Sequence, residues 1–129
     1  MIESDLVVDA SPVLAVLRGE PFTKFDPYRI EGAWISAANL TEVLTRLILE
    51  NAPDHAANQM VDHLRLRVIA FDETLARAAA RLAPLTRRFG LSLGDRACLA
   101  TALSLSAAVV TADRLWANLD IGATIILIR

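Results

Sequence analysis

The chain has 129 residues, 13 basic against 15 acidic side chains for a formal charge of −2, and 54% hydrophobic residues with a mean hydropathy of +0.42. That length suits one domain with a real core, and the single cysteine, Cys98, excludes a disulfide framework or cysteine-rich zinc site and agrees with a reducing cytosol. The longest charge-free stretch, 97–112, is sixteen residues and holds Thr101, Ser104, Ser106 and Thr111, which falls short of the about 20 apolar residues that cross a bilayer. The sequence opens with Glu3 and Asp5 and no basic stretch before an apolar segment, so no signal peptide is expected. The weakly acidic balance gives no general basic footprint for nucleic acid.

No repeat, low-complexity tract or Gly/Ser linker divides the chain, which reads as one domain over 1–129. Short β-branched runs alternate with segments of helical period, the pattern of βαβ units and a parallel sheet. Leu6-Val7-Val8 reads as the first strand, after which Ser11 is expected to cap a helix with Pro12 at its first position. Pro21 and Pro27 interrupt any long helix over 19–32. A second strand is predicted over 33–35 and a helix over 37–50, starting near Ser36. Pro53 opens another helix to about Leu66. A third strand over 68–71 precedes Asp72, the cap of a long helix ending near Gly90. Ser92 opens a helix to about Leu105, followed by a fourth strand over 108–111, a short helix over 114–118 and a fifth strand over 124–128. The unbroken apolar character of Val109-Val110 and Ile125-Ile126-Leu127-Ile128 says that both faces of these strands are covered. The expected fold is a three-layer α/β/α sandwich around a central, mainly parallel, five-stranded sheet, with chemistry beyond the carboxyl ends of the strands.

Four carboxylates fall near that edge. Asp9 follows the first strand and Asp113 the fourth, and either could instead serve its turn or helix cap. Glu42 shares a helix face with Asn39, three residues earlier, and the pair also fits a capping box if the helix begins at Asn39. Asp95 fits the capping-box spacing outright through Ser92. What favours chemistry is coincidence: four acids at one end of one sheet repel by several kcal/mol at an effective dielectric of about 20. A cation relieves this, and all-oxygen ligation suits Mg²⁺ or Mn²⁺. Setting the four aside leaves the rest of the chain slightly basic, so the overall charge does not count against a polyanionic substrate.

Val7-Val8-Asp9-Ala10-Ser11, Ser36-Ala37-Ala38-Asn39-Leu40-Thr41-Glu42-Val43, Leu91-Ser92-Leu93-Gly94-Asp95-Arg96-Ala97-Cys98-Leu99-Ala100 and Val110-Thr111-Ala112-Asp113-Arg114 resemble the four signature segments of PIN-domain proteins, most closely the VapC toxins of bacterial toxin–antitoxin pairs. The resemblance covers nearly the whole chain in order, to the Leu127-Ile128-Arg129 end. It implies a cytoplasmic, Mg²⁺- or Mn²⁺-dependent endoribonuclease that cuts single-stranded or loop regions of RNA. It further implies neutralisation by a cognate antitoxin, homodimer formation and no membrane association. By residue, it places Asp9, Glu42, Asp95 and Asp113 as the acids that hold one or two ions. Ser11 and Thr111 become small polar supports, and Arg96 and Arg114 possible phosphate contacts. Two departures stand out. The segment 22–30, with Pro27 inside, lacks the regular second helix of the family, and the nearest polar groups after the fourth acid are Asn118 and Asp120.

Other residues read more plainly. His55 and His63 lie eight apart on one helix, too far for a metal pair. Cys98 on an Ala/Leu-rich helix reads as a small core residue, and Trp34 and Trp116 as packing residues. Arg87 and Arg88 fit a solvated helix surface as well as a phosphate rim. A Mg²⁺-dependent phosphotransfer or phosphatase domain would also use acids at strand ends. The receiver type needs a late lysine, and none follows Lys24; the aspartyl-phosphate type needs a second aspartate where Ser11 stands. A catalytically silent binding module on the same fold is the remaining alternative, and the intact set of four acids argues against it.

Overall fold

A computed structural model of the chain describes residues 5–129; Glu3, part of the signal-peptide reading, lies outside them. Five strands, β1 (Leu6–Val8), β2 (Trp34–Ser36), β3 (Arg67–Ile69), β4 (Ala108–Thr111) and β5 (Ile125–Leu127), form one sheet in the order β3-β2-β1-β4-β5. All four pairings are parallel. Six α-helices flank it: α1 (Ala10–Leu17), α2 (Ala37–Leu49), α3 (Asp54–Asp62), α4 (Glu73–Arg81), α5 (Ala83–Thr86) and α6 (Leu93–Leu105). Short 3₁₀ helices add 27–30, 87–89 and 114–118.

Alternation along β1 divides the core. Leu6 and Val8 join Ile35, Val110 and Ile128 beneath Val13 of α1, Val43 and Leu47 of α2, and Val61 of α3. Val7 and Val109 face the other way, against Leu82 and against Cys98, Leu99 and Ala102 of α6, with Trp116 fully buried beside them. The result is the three-layer α/β/α arrangement, with β1 and β4 covered on both faces; β5, expected to be covered in the same way, is an edge strand and only half-buried along Ile125–Leu127. No helix among the described residues is long and apolar enough to cross a membrane.

Several boundaries differ from the sequence expectation, each for a local reason. Asp9, not Ser11, caps α1, which puts Pro12 in the third helical position, still within the turn whose N–H groups have no intrahelical acceptor. β2 and β3 each begin one residue away from the expected start. β3 stops at Ile69 because its partner β2 turns into α2 after Ser36. α3 ends at Asp62, ahead of Arg65, whose φ of 50° cannot continue a helix. The long helix expected over 73–90 is broken into α4, α5 and a 3₁₀ turn. Pro84 has no N–H to continue the ladder, and Gly90 closes the segment in the left-handed region. In 19–32 the order is local: Asp26 caps the 3₁₀ turn by accepting the Tyr28 N–H, and the N–H groups of Thr23 and Lys24 donate to Ile128 O.

Candidate active site

The strand order turns between β1 and β4, where an open parallel sheet leaves a crevice beyond its carboxyl ends. Asp9 is the first residue past β1, and its N–H donates to Val110 O at 3.0 Å, continuing the ladder with β4. Its carboxylate is buried and fully engaged. Oδ1 accepts the Ala10 N–H at 2.9 Å, while Oδ2 accepts the hydroxyls of Thr111 at 2.9 Å and Ser11 at 3.2 Å. Those hydroxyls in turn accept backbone N–H groups from the β4 end, Asp113 onto Thr111 and Ala112 onto Ser11, both at 3.1 Å. Ser11 and Thr111 thus stitch the two strand ends together around Asp9. Burial pushes the Asp9 carboxyl up to about 6; the Thr111 hydrogen bond opposes this, and the negative charge of Asp95 adds to the rise.

Asp95 and Asp113 both serve as caps, as the sequence allowed. Asp95 Oδ2 accepts the Ser92 N–H at 2.9 Å, completing a capping box on α6, and Asp113 Oδ1 accepts the Leu115 N–H at 3.0 Å. Each holds a helix start with one oxygen, and both residues also line the cleft at the strand ends. Glu42 comes from the second turn of α2, whose cap is Ser36, so Asn39 is inside the helix and not its cap. Asn39 is fully buried, and its Nδ2 donates to Glu42 Oε1 at 2.8 Å and to Gly94 O at 3.0 Å.

Asp9, Glu42, Asp95 and Asp113 all line one open cleft of about 580 Å³. Beneath them, the fully buried Cys98 thiol is pushed well up, first by burial and then by the charges of Asp9, Asp95 and Glu42, so it stays an inert core thiol. Among the described residues, no three acids are drawn close enough to enclose an ion by themselves. The donor set nonetheless fits a hard cation. It is all carboxylate oxygen, and among the described residues no cation is paired with Asp9 or Asp95. An ion held by few protein oxygens and several waters is the habit of Mg²⁺.

The flank of the cleft was not legible from the motifs. Thr41, Thr45 and Arg46 of α2 line it, and among the described residues Arg46 is the only basic one in the lining. Its partner Glu50 stands 3.8 Å away and is also held by Arg18. Of the two arginines expected near phosphate, Arg96 points to α4 and donates to Ala79 O at 3.4 Å, and Arg114 is exposed outside the lining. Asn118, Asp120, Arg87 and Arg88 are exposed and also lie outside it. His55 and His63 are exposed on the α3 side, and Trp34 packs beneath the Arg67 guanidinium at 4.1 Å.

The family model described as PIN domain matches residues 6–122, nearly the whole chain. The chain belongs to the PIN-domain family. This PIN domain is also similar in fold to solved structures. A VapBC2 structure from Rickettsia felis, bound to a DNA fragment from its promoter, superposes with a TM-score of 0.73 at 14% identity, covering 93% of this chain and 96% of that one. VapC20 of Mycobacterium tuberculosis, described as a sarcin-ricin loop cleaving toxin, gives 0.68 at 16% identity over 90% and 97%. A toxin–antitoxin complex from Klebsiella pneumoniae gives 0.67 at 16% identity over 97% and 98%. No curated protein sequence matches the chain.

Proposed function

We propose that this PIN domain is a metal-dependent endoribonuclease, the toxin of a toxin–antitoxin pair, which cleaves single-stranded or loop RNA in the cytoplasm. The observation that carries the reading is the convergence of Asp9, Glu42, Asp95 and Asp113 on one cleft at the strand-order switch of a PIN domain. These four would hold one or two Mg²⁺ or Mn²⁺ ions. Such ions, when bound, activate water and offset the negative charge that grows on a phosphodiester under attack.

The chain's own groups do the positioning. Thr111, Ser11 and the Ala10 N–H hold the Asp9 carboxylate in one orientation, so no side-chain freedom is lost when it takes a ligand. Asp95 and Asp113 are held by their caps in the same way. Arg46 meets an RNA phosphate from the α2 side, exchanging its loose pairing with Glu50 for a bidentate contact that a guanidinium suits. The antitoxin partner is supported by fold likeness to proteins solved as toxin–antitoxin assemblies. Homodimer formation through the Ala/Leu-rich helices belongs to the same proposal.

The test is cleavage of a loop-containing RNA by the purified protein, with 5′ and 3′ ends mapped. Cutting that needs Mg²⁺ or Mn²⁺ and is lost in Asp9→Asn and Asp95→Asn is the expected result. Cutting that survives excess EDTA, or full activity in both variants, refutes it. RNA binding without cleavage under any divalent ion would instead mark a silent binding module.

A further inference from the structure

We infer that Asn39 and Gly94 form a positioning pair for the Glu42 carboxylate, fixing it relative to Asp95 while neither residue touches a ligand. The inference rests on the metal-binding reading of the cleft and deepens it.

Asn39 is one element. Its single amide group joins two acceptors from different helices, Glu42 Oε1 on α2 and the carbonyl of Gly94 on α6. Both partners only accept, so the NH₂ must face them; the reverse rotamer would turn Oδ1 against a carboxylate and a carbonyl. The amide's other end is sacrificed to this arrangement: Oδ1 is buried with no hydrogen-bond donor. Buried polar atoms are rarely left this way, and a residue present only to fill the core there would be apolar.

Gly94 is the other. Its φ is not positive, so the backbone does not call for glycine. What calls for it is space. A Cβ on Gly94 would lie 2.7 Å from Glu42 Cδ and 2.9 Å from Glu42 Oε2, closer than carbon and oxygen atoms pack. The Glu42 carboxylate therefore rests on the bare Cα of Gly94, with the Asn39 amide on one of its oxygens. Gly94 is the residue before Asp95, so this wall and the neighbouring acid belong to the same helical turn, and the separation of the two acids is set by that contact. Thr or Val at 94 would push the carboxylate aside outright; alanine does so with the least other change.

That makes Gly94→Ala the informative variant. Alanine is the better helix former at this position, so the melting temperature in EDTA is expected to hold or rise. Mn²⁺ affinity, measured by calorimetry without RNA, is expected to fall about 10–100-fold, the range seen when groups that orient metal ligands are removed. Asn39→Ala should weaken Mn²⁺ binding to a similar degree. The decisive comparison is made in a Glu42→Ala background, where Gly94→Ala should have no further effect on Mn²⁺ affinity, because the group it displaces is gone. Unchanged affinity in Gly94→Ala alone overturns the pair, and so does an equal loss with and without Glu42. A wild-type protein that binds no Mn²⁺ overturns the metal reading itself, and the pair with it.

Discussion

Asp9→Asn separates the charge of the site from its shape. The carboxyl group titrates at about 6 in the folded protein against an ordinary 3.8, chiefly because it is buried. The folded state therefore holds that proton more tightly than the unfolded chain does. For this group stability is greatest below pH 4 and is lost as pH rises through about 6, at a cost of about 3 kcal/mol by pH 7. Asparagine keeps the volume and abolishes the charge. Its Oδ1 still accepts the Ala10 N–H, but its Nδ2 faces the Ser11 and Thr111 hydroxyls, which turn to accept from it. Their two protons are then left without an acceptor, costing about 1 kcal/mol each. The metal-free variant should be more stable than wild type by about 1 kcal/mol at pH 7 and less stable by roughly 1–2 kcal/mol near pH 4. Urea unfolding of both proteins in EDTA at pH 4, 5, 6 and 7 reads this, since the groups that do not interact with Asp9 cancel in the difference. RNA cleavage should be lost throughout. A stability difference that stays flat from pH 4 to pH 7 would refute the buried-charge argument, whatever happens to activity.

Two further outcomes are expected. Mn²⁺ at about one hundred times its dissociation constant should stabilise the protein by about 2.7 kcal/mol. The accompanying rise in melting temperature should shrink below about pH 6 as Asp9 takes up its proton, and equal shifts at pH 5 and pH 7.5 would remove Asp9 from the ligand set. Arg46→Ala should weaken binding of a non-cleavable single-stranded RNA and flatten the salt dependence by about 0.7 for each phosphate left unneutralised, as fluorescence anisotropy at several salt concentrations would show. Arg96→Ala should leave both unchanged, because its guanidinium points to α4; the opposite ranking of the two variants refutes the assigned phosphate path.

What was legible in the sequence was whatever a local pattern determines. The apolar runs of β1, β4 and β5 announce strands, although β5 at the sheet edge is only half-buried, and Asp9 and Asp113 follow β1 and β4 closely enough to be placed at one edge. β3 was harder because it is exposed at Arg67 and Val68, which blurs its apolar run, and its length is set by β2. The break of 73–90 hinges on a single proline in an otherwise helical run. The role of Asn39 depends on a carbonyl 55 residues away, and the place of Arg46 on how α2 lies against the β1 and β4 ends. Neither distance leaves a mark in spacing. Asp95 shows a different limit: its capping-box signature was sound, and the spacing that gives the cap says nothing of the cleft the same residue also lines.

The stitch between Asp9 and Thr111 spans 102 residues, and that between Ser11 and Ala112 spans 101. Parallel pairing of β1 with β4 is what brings these groups into register, and contacts of such long range form only after the intervening chain is in place. During synthesis, β1 and α1 leave the ribosome first and wait for β4, near the far end of the chain. A nascent or truncated chain ending before β4 has neither Asp113 nor the Thr111 hydroxyl, one of the two that orient Asp9. The molecule thus carries an order of assembly: the four acids share one cleft only once β4 has joined β1.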